Sequence, residues 1–352
     1  MATQEFAIDK RPIGPEHPPY IIAEMSGNHM GKLETALRLI DAAKAAGADA
    51  VKLQTYTPDT ITIDCSGPEF MLTKGLWAGR TLYDLYQEAH TPWAWHDALF
   101  AHARAIGITI FSSPFDPTAV DLLARLDAPA FKIASFELVD LPLIRYVARL
   151  GKPIIMSTGM ASLGEIAEAV DTVRQTSDAP LLLLHCTSGY PTPVTDCDLR
   201  TIPHLAATFG VCAGLSDHTR TVAVPTAAVA LGAVAIEKHF VLSRAAGGVD
   251  SEFSLEPDEL AAMVEACRTA WQALGKVDYT IKQSELAGKD HRRSLYVVAN
   301  VAAGELLSAS NVRSIRPGGG LAPKYLDQVL GRRATRDLVR GEPLTWSMLA
   351  ER

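Results

Sequence analysis

The stretch YIIAEMSGNHMGKLETALRLIDAAKAAGADAVKLQTY, Tyr20 to Tyr56, reads as strand, helix, strand. The apolar run Tyr20–Met25 gives way to polar residues, and Leu33, Leu37, Ile40 and Ala43 then fall on one stripe at helical spacing. Gly47 supplies a C-terminal cap, and Ala50–Leu53 resumes the apolar run. The same alternation continues through Ile108–Phe111, Ala130–Ile133, Pro153–Met156, Leu181–Leu184, Val211–Leu215 and Val234–Ile236, eight runs in all. The runs are apolar throughout rather than at every second position, the pattern of parallel strands covered on both faces. With helical segments between them, the chain is predicted to close into a (β/α)8 TIM barrel of about 250 residues. An open doubly wound sheet is the alternative. It is disfavoured because no GxGxxG follows the first run and polar residues follow every run, not only one switch point.

The remaining length divides naturally. A last barrel helix is expected around Pro257–Leu274, so the barrel domain spans 1–275, a polar linker 276–290, and a small, mostly β domain 291–352. That last segment carries a weak repeat, NVAAGELLSASNV from Asn300 and DLVRGEPLTWSML from Asp337, with Gly304 and Gly341 at equivalent places. Lys and Arg number 33 against 40 Asp and Glu, a net charge of −7, which argues against nucleic acid or an anionic membrane as partner. The longest apolar run, Val222–Ile236, contains Pro225 and Gly232 and is too short to span a bilayer; it reads as a buried helix feeding a strand. Five cysteines without CxxC spacing, and an opening MATQEFAIDKRP without a secretory pattern, lead to the expectation of a reducing, cytoplasmic setting.

In such a barrel the polar residues at strand ends form the site. Lys52 and Lys132, with the hydroxyls of Ser113, Ser135 and Ser157, make a donor set suited to a small phosphorylated acid. A third strand-end lysine is Lys238. Buried structural Lys–Glu pairs and a Schiff-base lysine remain open for these positions. His218 and His239 come from adjacent strands and, with Glu24, Asp217 and Glu237 on the same rim, suit a divalent cation. Cys186, with no base evident beside it, reads as a small buried hydrophobe. The long Thr57–Thr91 connection, carrying Trp77, Arg80, Tyr83 and Tyr86, reads either as a surface excursion or as a substrate lid. Arg313 and Arg316, before three glycines, read from composition as a flexible surface loop.

The motifs IIAEMSGNHMG, AVKLQTY, FSSPFD, FKIASFE, IIMSTGM, CTSGYPTP, GLSDHT, AIEKHF, RRSLYVV and SIRPGGG together resemble the sialic acid synthase family of phosphoenolpyruvate-condensing enzymes, from about Tyr20 to the end. The resemblance implies a TIM barrel followed by a C-terminal antifreeze-like (SAF) domain, in a domain-swapped homodimer. It implies a transferase that joins phosphoenolpyruvate to an amino sugar, giving a nine-carbon 2-ulosonic acid and phosphate. Lys52, Ser113, Lys132, Ser135 and Ser157 then match phosphoenolpyruvate-binding positions, His218 and His239 the metal ligands, and Glu24 the essential carboxylate of the first strand. Gln54, Glu137, Tyr190 and Asp250 match sugar-facing positions, and Arg316 matches an arginine supplied across the dimer, which replaces the surface-loop reading. The implied metal is Mn2+, with Mg2+ or Co2+ as alternatives. Ser188 departs from the Asn found in sialic acid synthases. That departure, with the stretch GLWAGRTLYDLYQEAHTPWAWH, points to the branch using 2,4-diacetamido-2,4,6-trideoxy-L-altrose rather than N-acetylmannosamine or the legionaminic precursor. A non-catalytic sugar-binding protein is the alternative from another class.

Overall fold

The computed structural model describes residues 5–351. The chain forms two compact units, one ending at Gly275 and the other beginning at Lys276. The first opens with an antiparallel hairpin, β1 (Phe6–Ile8) and β2 (Arg11–Ile13). A closed barrel of eight parallel strands follows: β3 (Tyr20–Glu24), β4 (Ala50–Thr55), β5 (Thr109–Pro114), β6 (Phe131–Ile133), β7 (Ile154–Ser157), β8 (Leu181–Cys186), β9 (Cys212–Asp217) and β10 (Ala235–His239). β10 pairs with β3, with His239 beside Glu24, and so closes the ring.

Several strands run further toward their C-terminal ends than the apolar runs alone suggest. Gln54, Ser113, Glu237 and His239 therefore sit within the sheet rather than on the loops after it. Local chemistry sets the helix boundaries. Ser162 and Glu165 form a reciprocal capping box at the start of Leu163–Thr176, and Gly107, at φ +73, ends His96–Ile106. The run expected to be a helix feeding a strand is Ala223–Ala230 followed by β10. Among the described residues, no helix is long and apolar enough to cross a membrane.

The first unit has two apolar cores. One lies between the barrel wall and the helices, and the other fills the barrel interior. Ile8 and Ile13 of the hairpin belong to the interior cluster with Tyr20, Ile22, Phe111 and Leu182, so β1 and β2 plug the end of the barrel where the strands start. The Thr57–Thr91 connection is well structured, with helices Pro58–Ile61 and Leu82–Ala89, a turn at Pro68–Phe70 and a bridge between Met71 and Thr81.

The second unit pairs β11 (Ser294–Val297) with β12 (Val312–Ile315) around its own apolar core. The sequence repeat becomes a mutual clasp. Val301 N–H donates to Leu338 O at 3.0 Å and Leu338 N–H returns a bond to Val301 O at 2.8 Å. Gly304 and Gly341, at φ +81 and +99, turn the chain at matching places in each half.

Candidate active site

Side chains along a strand alternate between faces. Ile22, Ala50, Phe111, Ala130, Ile155, Leu184 and Ala235 are in the interior cluster. Glu24, Lys52, Ser113, Lys132, Ser157, Cys186 and Glu237, each two residues further on, therefore line the same interior toward the mouth, with Gln54 and His239 beyond them. This parity gathers most of the expected strand residues.

At the centre is a buried four-charge cluster. Lys52 Nζ lies 3.0 Å from Glu24 Oε2 and 3.2 Å from Glu237 Oε1, and Lys132 Nζ lies 3.4 Å from the same Glu237 oxygen. Lys52 also donates to Ser113 Oγ at 3.4 Å. Burial opposes every one of these charges, and their mutual attraction offsets it unequally. Burial works against the Lys52 ammonium, but Glu237 and Glu24 outweigh it and the pKa is raised. Burial likewise favours a protonated Glu237, but Lys132 and Lys52 prevail and hold it ionised below the ordinary carboxylate range. Burial wins at Glu24, which is raised against the pull of Lys52, and at Lys132, which is lowered despite Glu237. Ser157 Oγ and Glu237 Oε2 are buried without a hydrogen-bond partner. The two ammonium groups beside the unpartnered Ser157 hydroxyl make a cradle for an oxyanion, and the Glu237 carboxylate balances part of their charge.

A polar chain leads from this cluster to the histidines. Gln54 Nε2 donates to Glu24 Oε1 at 2.9 Å and to Ser26 Oγ at 3.1 Å, and Ser26 donates to Asp250. Asp250 Oδ2 is 3.9 Å from His239 Nδ1, which has no hydrogen-bond partner. The His218 and His239 rings are 5.3 Å apart. His218 Nδ1 donates to Thr187 O at 3.0 Å, which leaves Nε2 available. Burial, and then His218, keeps the His239 imidazole neutral. Tyr190 and Phe253 cover the pair, at 4.5 Å from His218 and 4.8 Å from His239.

The acidic neighbours expected for a cation are placed differently. Glu24 and Glu237 are engaged by the lysines, and Asp217 faces the other side of the wall, 2.6 Å from Lys238 Nζ. The carboxylate near the histidines is Asp250, from the loop after β10, which strand spacing does not reveal. Among the described residues, no group of three or more His, Cys, Asp or Glu side chains is disposed around a cation position. The chemistry of the two imidazoles, with an unpartnered Nδ1 on His239, fits a divalent cation.

Cys186 also differs from expectation. Its Sγ is 4.0 Å from His218 Nδ1 and from Ser188 Oγ. Burial pushes the thiol up, but His218 outweighs it and the pKa falls to about 7. Two barrel strands bring this base alongside, which spacing in the chain concealed. Ser135 Oγ accepts from Gly159 N–H at 3.1 Å, and a Cβ at Gly159 would collide with both Ser135 and Ser188. Glu137 has an unpartnered buried Oε2, and burial raises its carboxyl to about 7. Arg316 lies in the second unit, exposed just after β12. A cavity of about 1030 Å3 opens at the opposite, strand-start face, lined by Arg11, Asp49, Asp127 and Lys152. Those charges are already paired, Arg11 with Asp49 at 3.4 Å and Lys152 with Asp127 at 2.9 Å, so chemistry rather than volume identifies the mouth as the site.

Comparison with known proteins agrees with this geometry. Residues 39–279 match the NeuB family and residues 292–350 match the SAF domain. The chain is 45% identical over 325 residues, 92% of its length and 95% of the relative's, to a pseudaminic acid synthase of Campylobacter jejuni. It is 42% identical over 329 residues, 93% of this chain and 97% of the other, to the pseudaminic acid synthase of Helicobacter pylori. The crystal structure of an N-acetylneuraminic acid synthetase from Leptospira borgpetersenii superposes with a TM-score of 0.73 at 32% identity, covering 81% of this chain and 95% of that one. A (β/α)8 barrel with a charged cradle at its mouth and a SAF domain behind it in the sequence places this chain in the NeuB family.

Proposed function

We propose that this protein is a pseudaminic acid synthase, condensing phosphoenolpyruvate with 2,4-diacetamido-2,4,6-trideoxy-L-altrose to give pseudaminic acid and inorganic phosphate. The observation that carries the proposal is the adjacency of the Lys52–Lys132 cradle to the His218–His239 pair in one barrel mouth. Identity of 42–45% to pseudaminic acid synthases selects the sugar.

Lys52 and Lys132 bind the phosphate and carboxylate of phosphoenolpyruvate, joined by the hydroxyls of Ser113, Ser135 and Ser157. Gln54, Glu137, Ser188, Tyr190 and Asp250 face the sugar and orient its aldehyde toward C3 of phosphoenolpyruvate. When held by His218 and His239, a divalent cation, Mn2+ with Mg2+ or Co2+ as alternatives, supplies Lewis-acid polarisation of a carbonyl oxygen. A C–C bond forms between C3 of phosphoenolpyruvate and C1 of the sugar, water adds at C2, and the tetrahedral species expels phosphate. Glu24, pushed by burial toward its neutral form between Lys52 and Gln54, holds the proton that these steps exchange. The protein acts as a domain-swapped homodimer in which Arg316 of one copy serves the mouth of the other. Exposed Phe136, Val139, Met160 and Val194 on the loops after the strands offer the apolar contact surface for it. A cytoplasmic setting suits a substrate such as phosphoenolpyruvate, and five cysteines with no disulfide among the described residues suit a reducing one.

The test is phosphate release with Mn2+ and phosphoenolpyruvate, offering the diacetamido-L-altrose sugar beside N-acetylmannosamine and the legionaminic precursor, with products identified by mass. Preference for the altrose sugar is expected. Preference for another sugar moves the protein to a sister synthase, and no turnover with any supports a binding protein instead.

A further inference from the structure

Trp77 projects from the Met71–Thr81 hairpin of the long connection after β4, with Leu72 N–H bonded to Arg80 O at 2.9 Å and Gly79 N–H to Leu72 O at 2.7 Å. Its indole Nε1–H donates to Val249 O at 2.8 Å, in the loop after β10. That loop is fixed from beneath as well. Ser26 donates to Asp250, and a Cβ on Gly27 would meet Val249 Cγ2 at 2.5 Å, so glycine is required for the close approach. The indole ring lies 5.6 Å from the Tyr190 ring and 6.4 Å from Phe253, while Tyr190 and Phe253 are 5.1 Å apart. These rings form an apolar wall with two courses. Tyr190 and Phe253 touch the histidines, and Trp77 stands one ring further out.

We propose that Trp77 is a specificity-determining residue, whose ring receives the C6 methyl end of a 6-deoxy amino sugar and whose N–H bond to Val249 holds that wall against the Asp250 loop. The inference rests on the sugar condensation proposed above. With the aldehyde directed to His218 and His239, the far end of the sugar runs outward along the wall to the indole. A methyl group loses no hydrogen bond there, whereas a hydroxymethyl group must shed water against the faces of Trp77, Tyr190 and Phe253. The indole N–H, already committed to Val249, is not available to it.

The experiment uses the full-length protein and a matched pair of sugars, the diacetamido-altrose with methyl or with hydroxymethyl at C6, assayed against wild type, Trp77→Ala and Trp77→Phe. Wild type should favour the methyl sugar by about 10- to 100-fold in kcat/KM. In Trp77→Ala that preference should fall toward unity, with the KM for phosphoenolpyruvate unchanged. Trp77→Phe, which keeps a ring and loses the N–H, should retain most of the preference while the sugar KM rises by roughly three- to tenfold, as expected for one lost hydrogen bond. An undiminished methyl preference in Trp77→Ala overturns the assignment, and so does a parallel rise in the phosphoenolpyruvate KM in both variants, the signature of a general structural role. Failure of the underlying reading is separately visible, since it is wild-type protein that turns over neither sugar.

Discussion

Glu237 and Lys238 are consecutive residues of β10, both buried and both ion-paired, yet they belong to different chemistry. Glu237 faces the barrel interior and shares Lys52 and Lys132. Lys238 faces the helices, bonded to Asp217 at 2.6 Å and to the carbonyl of Thr219. The inner group leaves polar atoms unsatisfied and opens on the mouth. In the outer one, three partners meet in a closed pocket. Composition makes the two groups look alike; strand parity separates a ligand cradle from a structural lock.

The contrast can be broken most forcefully at the inner group. His218→Ala should abolish metal-dependent turnover while leaving the thermal transition in place, and full activity of this variant in metal-free buffer would remove the cation from the site. Lys132→Met should lower kcat/KM by about a hundred- to a thousandfold, the loss typical of one charged donor in a preorganised site. Lys238→Met should do the reverse. It leaves Asp217 buried without its cation, at a cost of about 3–5 kcal/mol in chemical denaturation, with kcat per folded molecule near that of wild type. Pairing it with Asp217→Leu should recover much of that stability, since removing both charges also removes their desolvation cost. If Lys238→Met instead lost activity with its stability intact, the division by parity would fail.

A smaller effect tests the mouth. Burial raises Glu137 to about 7 from 4.5. Between those values the unfolded chain has released its proton while the folded protein keeps it, so this residue makes stability fall as pH rises from about 4.5 to about 7, and adds no slope outside that window. Glu137→Gln should flatten that part of the stability profile, and identical slopes in the two proteins would show the carboxyl to be ionised throughout. The smallest expected change is in Arg316→Ala, with weaker sugar use and little change toward phosphoenolpyruvate. Mixing it with Lys132→Met should restore some activity if the arginine acts across a dimer, and no rescue would count against that arrangement.

The barrel was legible because parallel strands buried on both faces leave unbroken apolar runs, and all eight appear where those runs stand. Lys52, Lys132, His218 and His239 were legible because strand ends in a barrel converge. Lys238 was grouped with the other lysines because the parity of each short run is set by its register, which composition does not report. Asp250 approaches His239 through a loop, and Cys186 meets His218 across neighbouring strands; both contacts depend on closure of the ring. The β1–β2 hairpin escaped because three-residue strands carry too few side chains for a period to show.

That hairpin has a further consequence. With Ile8 and Ile13 closing its base, the interior formed by the described residues opens toward the mouth. The loops that border the mouth therefore govern entry to the interior from that side.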